Sequence, residues 1–155
     1  MNRSGKFVRI NSKNDIKYND FYIGKIINKV MKDGKKSLAT RLVYKALKIC
    51  EEKLKEDGKK IISDCVKILS PDVFLRSKRI ASRVYKIPIP ISARTSVVIA
   101  IKWIVKSLSL RKERTLILRL SNEIFDLLNS KGESLKLKEN HYRIAKENEA
   151  FSHYV

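Results

Sequence analysis

Residues 73–91 read VFLRSKRIASRVYKIPIPI. β-Branched and aromatic residues are interleaved there with basic ones, the pattern of two strands turning about Ala81-Ser82. Pro88 and Pro90 lack amide donors, so the second strand can pair on only one side. A two-stranded hairpin cannot bury both faces, so it should project from whatever carries it. The sequence on either side is helical in pattern. The expected fold is therefore mainly α: a single domain of about six helices, residues 18–155, with a protruding β-hairpin at about 73–91 and a basic arm, residues 1–17, ahead of it.

Working outward, Asp20 is a plausible N-cap for a first helix carrying Ile23, Ile26, Ile27, Val30 and Met31, with Gly34 as its stop. A second helix begins near Ser37 and lines up Ala39, Leu42, Val43, Ala46, Leu47, Cys50 and Leu54. A short third helix with Ile62, Cys65, Val66 and Leu69 ends at Ser70-Pro71, because Pro biases its predecessor away from the α region. Beyond the hairpin, Thr95 or Ser96 starts a fourth helix. Val98, Ile99 and Trp103 make it apolar nearly all round, which predicts a central position. Thr115 caps a fifth helix that Gly132 ends. A charged sixth helix runs from about Ser134 and finishes with Ala150, Phe151, His153 and Tyr154.

The charge is lopsided: 35 Lys plus Arg stand against 16 Asp plus Glu in 155 residues, a formal net charge of +19. Self-repulsion of that size disfavours a compact state unless a polyanion neutralises it. Folded RNA does so well, since each cation–phosphate contact releases condensed counterions. With 43% hydrophobic residues the chain has the means for a modest core. Cys50 and Cys65 make no disulfide framework and fit a reducing compartment. The first fifteen residues lack the apolar stretch of a signal peptide, and no presequence is evident, so synthesis in the working compartment is expected. The most apolar run, Val97 to Ile101, is broken at Lys102, too short to span a bilayer.

No catalytic set appears. The cysteines lie on apolar helix faces, His141 and His153 lack partners at metal-ligand spacing, and no metal or cofactor is expected. Asp15 and Asp20 flank the arm, while Glu51 and Glu52 read as a solvated helix face. Gly34-Lys35-Lys36-Ser37 lacks the upstream Gly of a nucleotide-binding loop and follows a helix. Those residues can still hold one backbone phosphate at a helix N-terminus. A DNA-binding regulator would need an exposed helix face mixing Arg, Asn and Gln. A peripheral membrane protein would need a basic helix with a free apolar face. Neither is evident, and an enzyme is the least supported class.

An ordered series of segments carries more. They are Met31-Lys32-Asp33-Gly34-Lys35-Lys36-Ser37, Val43-Tyr44-Lys45-Ala46-Leu47, Ser70-Pro71-Asp72-Val73 running into Arg76-Ser77-Lys78-Arg79, and Tyr85-Lys86-Ile87-Pro88. There follow Ala100-Ile101-Lys102-Trp103-Ile104-Val105, Arg119-Leu120-Ser121-Asn122-Glu123, and the run from Ala145 to Tyr154. In this order and spacing, over about residues 15–154, the chain resembles the family of small-subunit ribosomal protein seven, of the bacterial and organellar type.

The resemblance implies a non-enzymatic scaffold of the small ribosomal subunit. It implies a primary binder of the 3′ major domain of small-subunit rRNA, nucleating assembly of the head. It places the hairpin and C-terminal helix near the exit-site tRNA and the mRNA, with ribosomal protein eleven as neighbour and no membrane partner. Carried over by position, Lys35 and Lys36 match a loop that grips rRNA, and Arg76, Lys78 and Arg79 match the basic strand of the hairpin. Arg111, Lys112 and Arg114, with Lys136, Lys138 and Arg143 of the last helix, match further RNA-facing stretches. Lys102 and Arg119 lie in matching segments, and Arg3, Lys6 and Arg9 of the N-terminal arm complete the expected rRNA set. Ala81, Ser82, Arg83, His153 and Tyr154 fall in the parts the family turns towards tRNA and mRNA.

Some positions depart from the family pattern. Ala81-Ser82 stands where paired glycines are usual, which strains any turn needing positive φ. Thr95-Ser96 replaces a common Arg pair, leaving Arg94 as the nearest cation, and His141-Tyr142 disturbs the usual His-Arg pair near the end while leaving Arg143 in place. Lys- and Ile-rich composition without a presequence suggests an AT-biased genome and favours a plastid over a bacterial cytoplasm.

Overall fold

The computed structural model describes residues 14–154, with side chains through residue 152. The element order is α1 (Phe21–Val30), α2 (Lys36–Leu54), α3 (Gly58–Leu69), β1 (Val73–Ile80), β2 (Arg83–Pro90), α4 (Ala93–Leu110), α5 (Leu116–Leu128) and α6 (Glu133–Glu147), then a 3-10 helix, Glu149–Tyr154. This is the expected mainly α domain of six helices with one antiparallel hairpin.

Helices α1 to α5 each present one apolar stripe to a shared core, against which Leu135 of α6 packs. Ile23, Ile26 and Ile27 of α1, Leu47 of α2, Ile61, Ile62 and Leu69 of α3, Ile101 and Ile104 of α4, and Leu120 and Ile124 of α5 are all almost wholly buried. Burying a side chain of this size contributes roughly 1.5–3 kcal/mol. α4 touches α1, α3, α5 and α6, so it is central as expected. It is not buried all round, however: Val98 is 38% exposed, Lys102 and Lys106 face solvent, and the buried face includes Ser96 and Ser107.

Several boundaries differ from the sequence expectation, each for a local reason. α1 stops at Val30, since Met31 turns extended at ψ 131 while its N–H still reaches the Ile27 carbonyl. Gly34 instead completes a turn in which Asp33 and Gly34 both have positive φ. α4 starts at Ala93, with Ser92 at the N-cap. Thr95 Oγ1 hydrogen-bonds Ser92 Oγ, and Ser96 turns inward to donate to the Pro71 carbonyl at 2.7 Å. Gly132, at φ 127, precedes α6 rather than ending α5. The last aromatic residues are not in α6: the chain breaks at Asn148 and restarts as the 3-10 helix.

The hairpin pairs in full register from Val73 opposite Pro90 to Ile80 opposite Arg83. Ala81 at its tip has φ 53 and Ser82 does not share the positive sign, the pattern of a II′ turn rather than I′. The base is tied to the body. His141 Nε2 hydrogen-bonds the Val73 carbonyl at 3.0 Å, and the Asp72 N–H donates to Tyr142 Oη at 3.0 Å. Farther out, the Tyr85 ring packs on Phe151 of the 3-10 helix, centroids 4.3 Å apart, and Ile87 beside it is 1% exposed. The lower half of the arm is thus seated, and the upper half projects.

Candidate nucleic-acid interface

The helix starts divide by chemistry. Asp20, Asp57 and Thr115 side chains accept from first-turn amides of α1, α3 and α5. At α6 the Glu123 carboxylate of the preceding helix accepts from the Ser134 amide. α2 and α4 have no side-chain cap. Exposed cations sit at those two starts instead: Lys35 and Lys36 on α2, Arg94 on α4. A cation at a helix N-terminus opposes the macrodipole, whereas an anion there is favoured. Free amides and cations at one place form a receptor for phosphate.

The arm carries Arg76, Lys78, Arg79 and Arg83, all exposed, beside exposed Ala81 and Ser82. Cross-strand partners share a face, so Arg76, Lys78 and Arg83 lie with Tyr85 and Ile87, while Arg79 lies with Lys86 on the other. Arg79 sits one pair from the tip, not near the base, and its Nε donates to the Ala81 carbonyl at 3.3 Å. Lys102, Lys112 and Arg114 are exposed. Arg143 is exposed with Nη2 on Asn140 Oδ1, and Lys136 is exposed but paired with Glu133 at 2.7 Å.

Three expected cations are turned inward. Arg111 donates through Nη1 to Glu123 at 2.8 Å and Asp126 at 2.6 Å, and through Nη2 to Glu113 at 2.7 Å. Its side chain is only 13% exposed. Arg119 donates to the Glu113 and Leu108 carbonyls. Lys138 Nζ donates to the Ile68 carbonyl of α3 at 2.6 Å. All three side chains are engaged in hydrogen bonds within the protein. Arg3, Lys6 and Arg9 lie outside the described residues, and the side chains of His153 and Tyr154 lie outside the described ones too.

Sequence reasoning missed Lys86 and Lys106, which line a cleft between the arm, Trp103 and His141. Lys106 lies one turn beyond Lys102, a signal the helical spacing could have supplied. It also missed the fold of residues 14–18. Asp15 is buried, accepting from the Lys17 and Tyr18 amides and from Tyr44 Oη at 2.7 Å. Glu51 is not purely solvated, since it accepts from the Gly58 N–H. Among the described residues no group of three or more His, Cys, Asp or Glu side chains is arranged to hold a metal ion.

A model of the family "Ribosomal protein S7p/S5e" matches residues 2–149. The chain belongs to that family. Proteins called small ribosomal subunit protein uS7 are similar over nearly its whole length. That of Chloroflexus aurantiacus is 36% identical over 154 residues, 99% of this chain and 98% of the relative. Those of Nautilia profundicola and Geobacter metallireducens are 39% and 35% identical, covering 88% and 90% of each chain. As a member of the S7p/S5e family the protein is a structural, non-enzymatic component of the small ribosomal subunit. These relatives are bacterial and give the plastid expectation no support.

Proposed function

We propose that this protein is a primary binder of the 3′ major domain of small-subunit rRNA, nucleating head assembly. The observation that carries this reading is the pair of uncapped helix starts with cations in place of acidic caps, Lys35-Lys36 at α2 and Arg94 at α4. The N-terminal arm, residues 1–17 with Arg3, Lys6 and Arg9, adds further phosphate contacts, and residues 18–155 form the rRNA-binding domain. The free half of the hairpin, with Arg83, and the C-terminal 3-10 helix lie towards the exit-site tRNA and mRNA. Ribosomal protein eleven is the neighbour at that end. The subunit is of the bacterial type; a plastid origin has only the composition behind it.

Binding of the full chain to a 3′ major-domain transcript tests this. Affinity should fall steeply with salt, with a log–log slope of about −0.7 to −0.9 per phosphate contact and several contacts in all. A nearly flat salt response, or equal affinity for another folded rRNA domain, would overturn the assignment.

A further inference from the structure

The loop between α4 and α5 has an unusual construction. Residues 112–114 take part in no backbone–backbone hydrogen bond with any of the described residues. Such a segment keeps its shape only through side chains or not at all. Here side chains do it. Arg111 clasps Glu113 through Nε and Nη2, and Asn122 Nδ2 donates to the same Glu113 oxygen at 3.2 Å. Arg119 Nε donates to the Glu113 carbonyl. Arg111 Nη1 then fastens the loop to Glu123 and Asp126 of α5. The Glu123 side chain is fully buried, and its second oxygen accepts from both the amide and the hydroxyl of Ser134 at the start of α6.

Attraction for phosphate does not account for this knot. It sets three carboxylates against the Arg111 guanidinium, so the charge of Arg111 is neutralised inside the protein and is not presented to RNA. What the knot supplies is geometry: planar, multidentate recognition of carboxylates is the property that distinguishes Arg from Lys. The groups whose geometry it fixes are Lys112 and Arg114. Both are exposed and, among the described residues, neither has an ion pair.

We propose that Arg111 is a positioning residue for RNA binding, acting through Glu113, Glu123 and Asp126 to hold Lys112 and Arg114 where they engage RNA phosphates. The inference rests on the proposed rRNA reading and adds to it a role for three carboxylates that do not themselves face RNA phosphates.

The decisive variants remove negative charge. Glu123→Gln and Asp126→Asn each make the protein more positive, so a surface working by charge or by direct Arg111 contact predicts unchanged or tighter binding. Positioning predicts weaker binding, by about fivefold at 0.15 M salt for each phosphate that is no longer engaged, with a slope shallower by about 0.7 to 0.9. Arg111→Lys, which keeps the charge but cannot span three carboxylates, should behave likewise. Lys112→Gln should cost about fivefold in the natural background and much less on top of Glu123→Gln, since the same interaction cannot be removed twice.

Circular dichroism identifies any variant that fails to fold. Asp126, 42% exposed, is the substitution least able to unfold the chain and keeps the comparison open if Glu123→Gln does. Folded Asp126→Asn and Arg111→Lys proteins that bind as tightly as the natural chain, with an unchanged slope, would overturn the positioning role alone. A natural chain without preference for the 3′ major domain would instead overturn the reading on which it rests.

Discussion

Glu113 shows how one side chain couples loop shape to pH. The Arg111 hydrogen bonds, with further help from Asn122, bring its carboxyl down from the ordinary 4.5 to about 2. A carboxylate lowered by folding stabilises the folded state above its unfolded value, and that contribution is lost as pH falls through the folded value. The window is therefore about pH 4.5 down to 2. Glu113→Gln should cost about 1–2 kcal/mol at pH 7, the worth of a charge-assisted hydrogen bond. Denaturant titrations from pH 7 to 2 should show the natural chain losing more stability than the variant below pH 4.5. Parallel curves would mean that Glu113 is not held by Arg111. The cysteines are the opposite case: burial pushes the Cys50 and Cys65 thiols up to about 12, so neither carries thiolate near neutrality. That fits their reading as core residues.

At the scale of elements, the hairpin consists of two unlike halves. It is anchored by His141 and Tyr142 at its base and by Phe151 at Tyr85; beyond Tyr85 its residues are mostly exposed, with Val84 66% exposed. The hairpin itself was legible in the sequence because period-2 patterning and two prolines leave little choice. Its anchors were not. His141 and Tyr142 stand 68 and 70 residues from their partners, and no local pattern encodes a contact of that separation. Helix identities were legible from apolar spacing, whereas the fourth helix starts at Ala93, ahead of the expected Thr95 or Ser96, and Gly132 precedes the sixth helix instead of ending the fifth. Of the candidate site, exposed cations in loops were readable, but Arg111, Arg119 and Lys138 were not separable from them, since a buried and a solvated Arg look alike in sequence. Because the distal half contributes little to the core, replacing residues 80–83 by a tight two-residue turn, which keeps Arg79 opposite Val84, should shift stability by less than about 1 kcal/mol. Subunits with the shortened arm should assemble yet show altered exit-site tRNA occupancy or frame maintenance. Failed assembly would make the tip part of the rRNA anchor.

For the whole molecule, the question is whether net charge or its placement governs binding, and two lysine pairs separate these. Lys35-Lys36 and Lys59-Lys60 both stand at helix starts and are exposed, so replacing either pair by Glu changes the net charge equally. Their surroundings differ. α3 is already capped by Asp57, and Lys60 Nζ is paired with Glu56 at 3.0 Å. Glu51, which accepts from the Gly58 N–H, adds a further carboxylate at that helix start. At α2 no side chain caps the amides, and the turn through Asp33 and Gly34 delivers Lys35 and Lys36 together to them. Phosphate bound there gains amides, dipole and cations at once. Replacing Lys35 and Lys36 by Glu should therefore weaken binding to the 3′ major domain by about thirtyfold, the worth of two phosphate interactions at 0.15 M salt. The same change at Lys59 and Lys60 should act only through the long-range field, by a fewfold at low salt and hardly at all once the Debye length falls to about 8 Å. Equal losses from the two pairs at 0.15 M salt would show that total charge, and not the α2 start, determines the affinity.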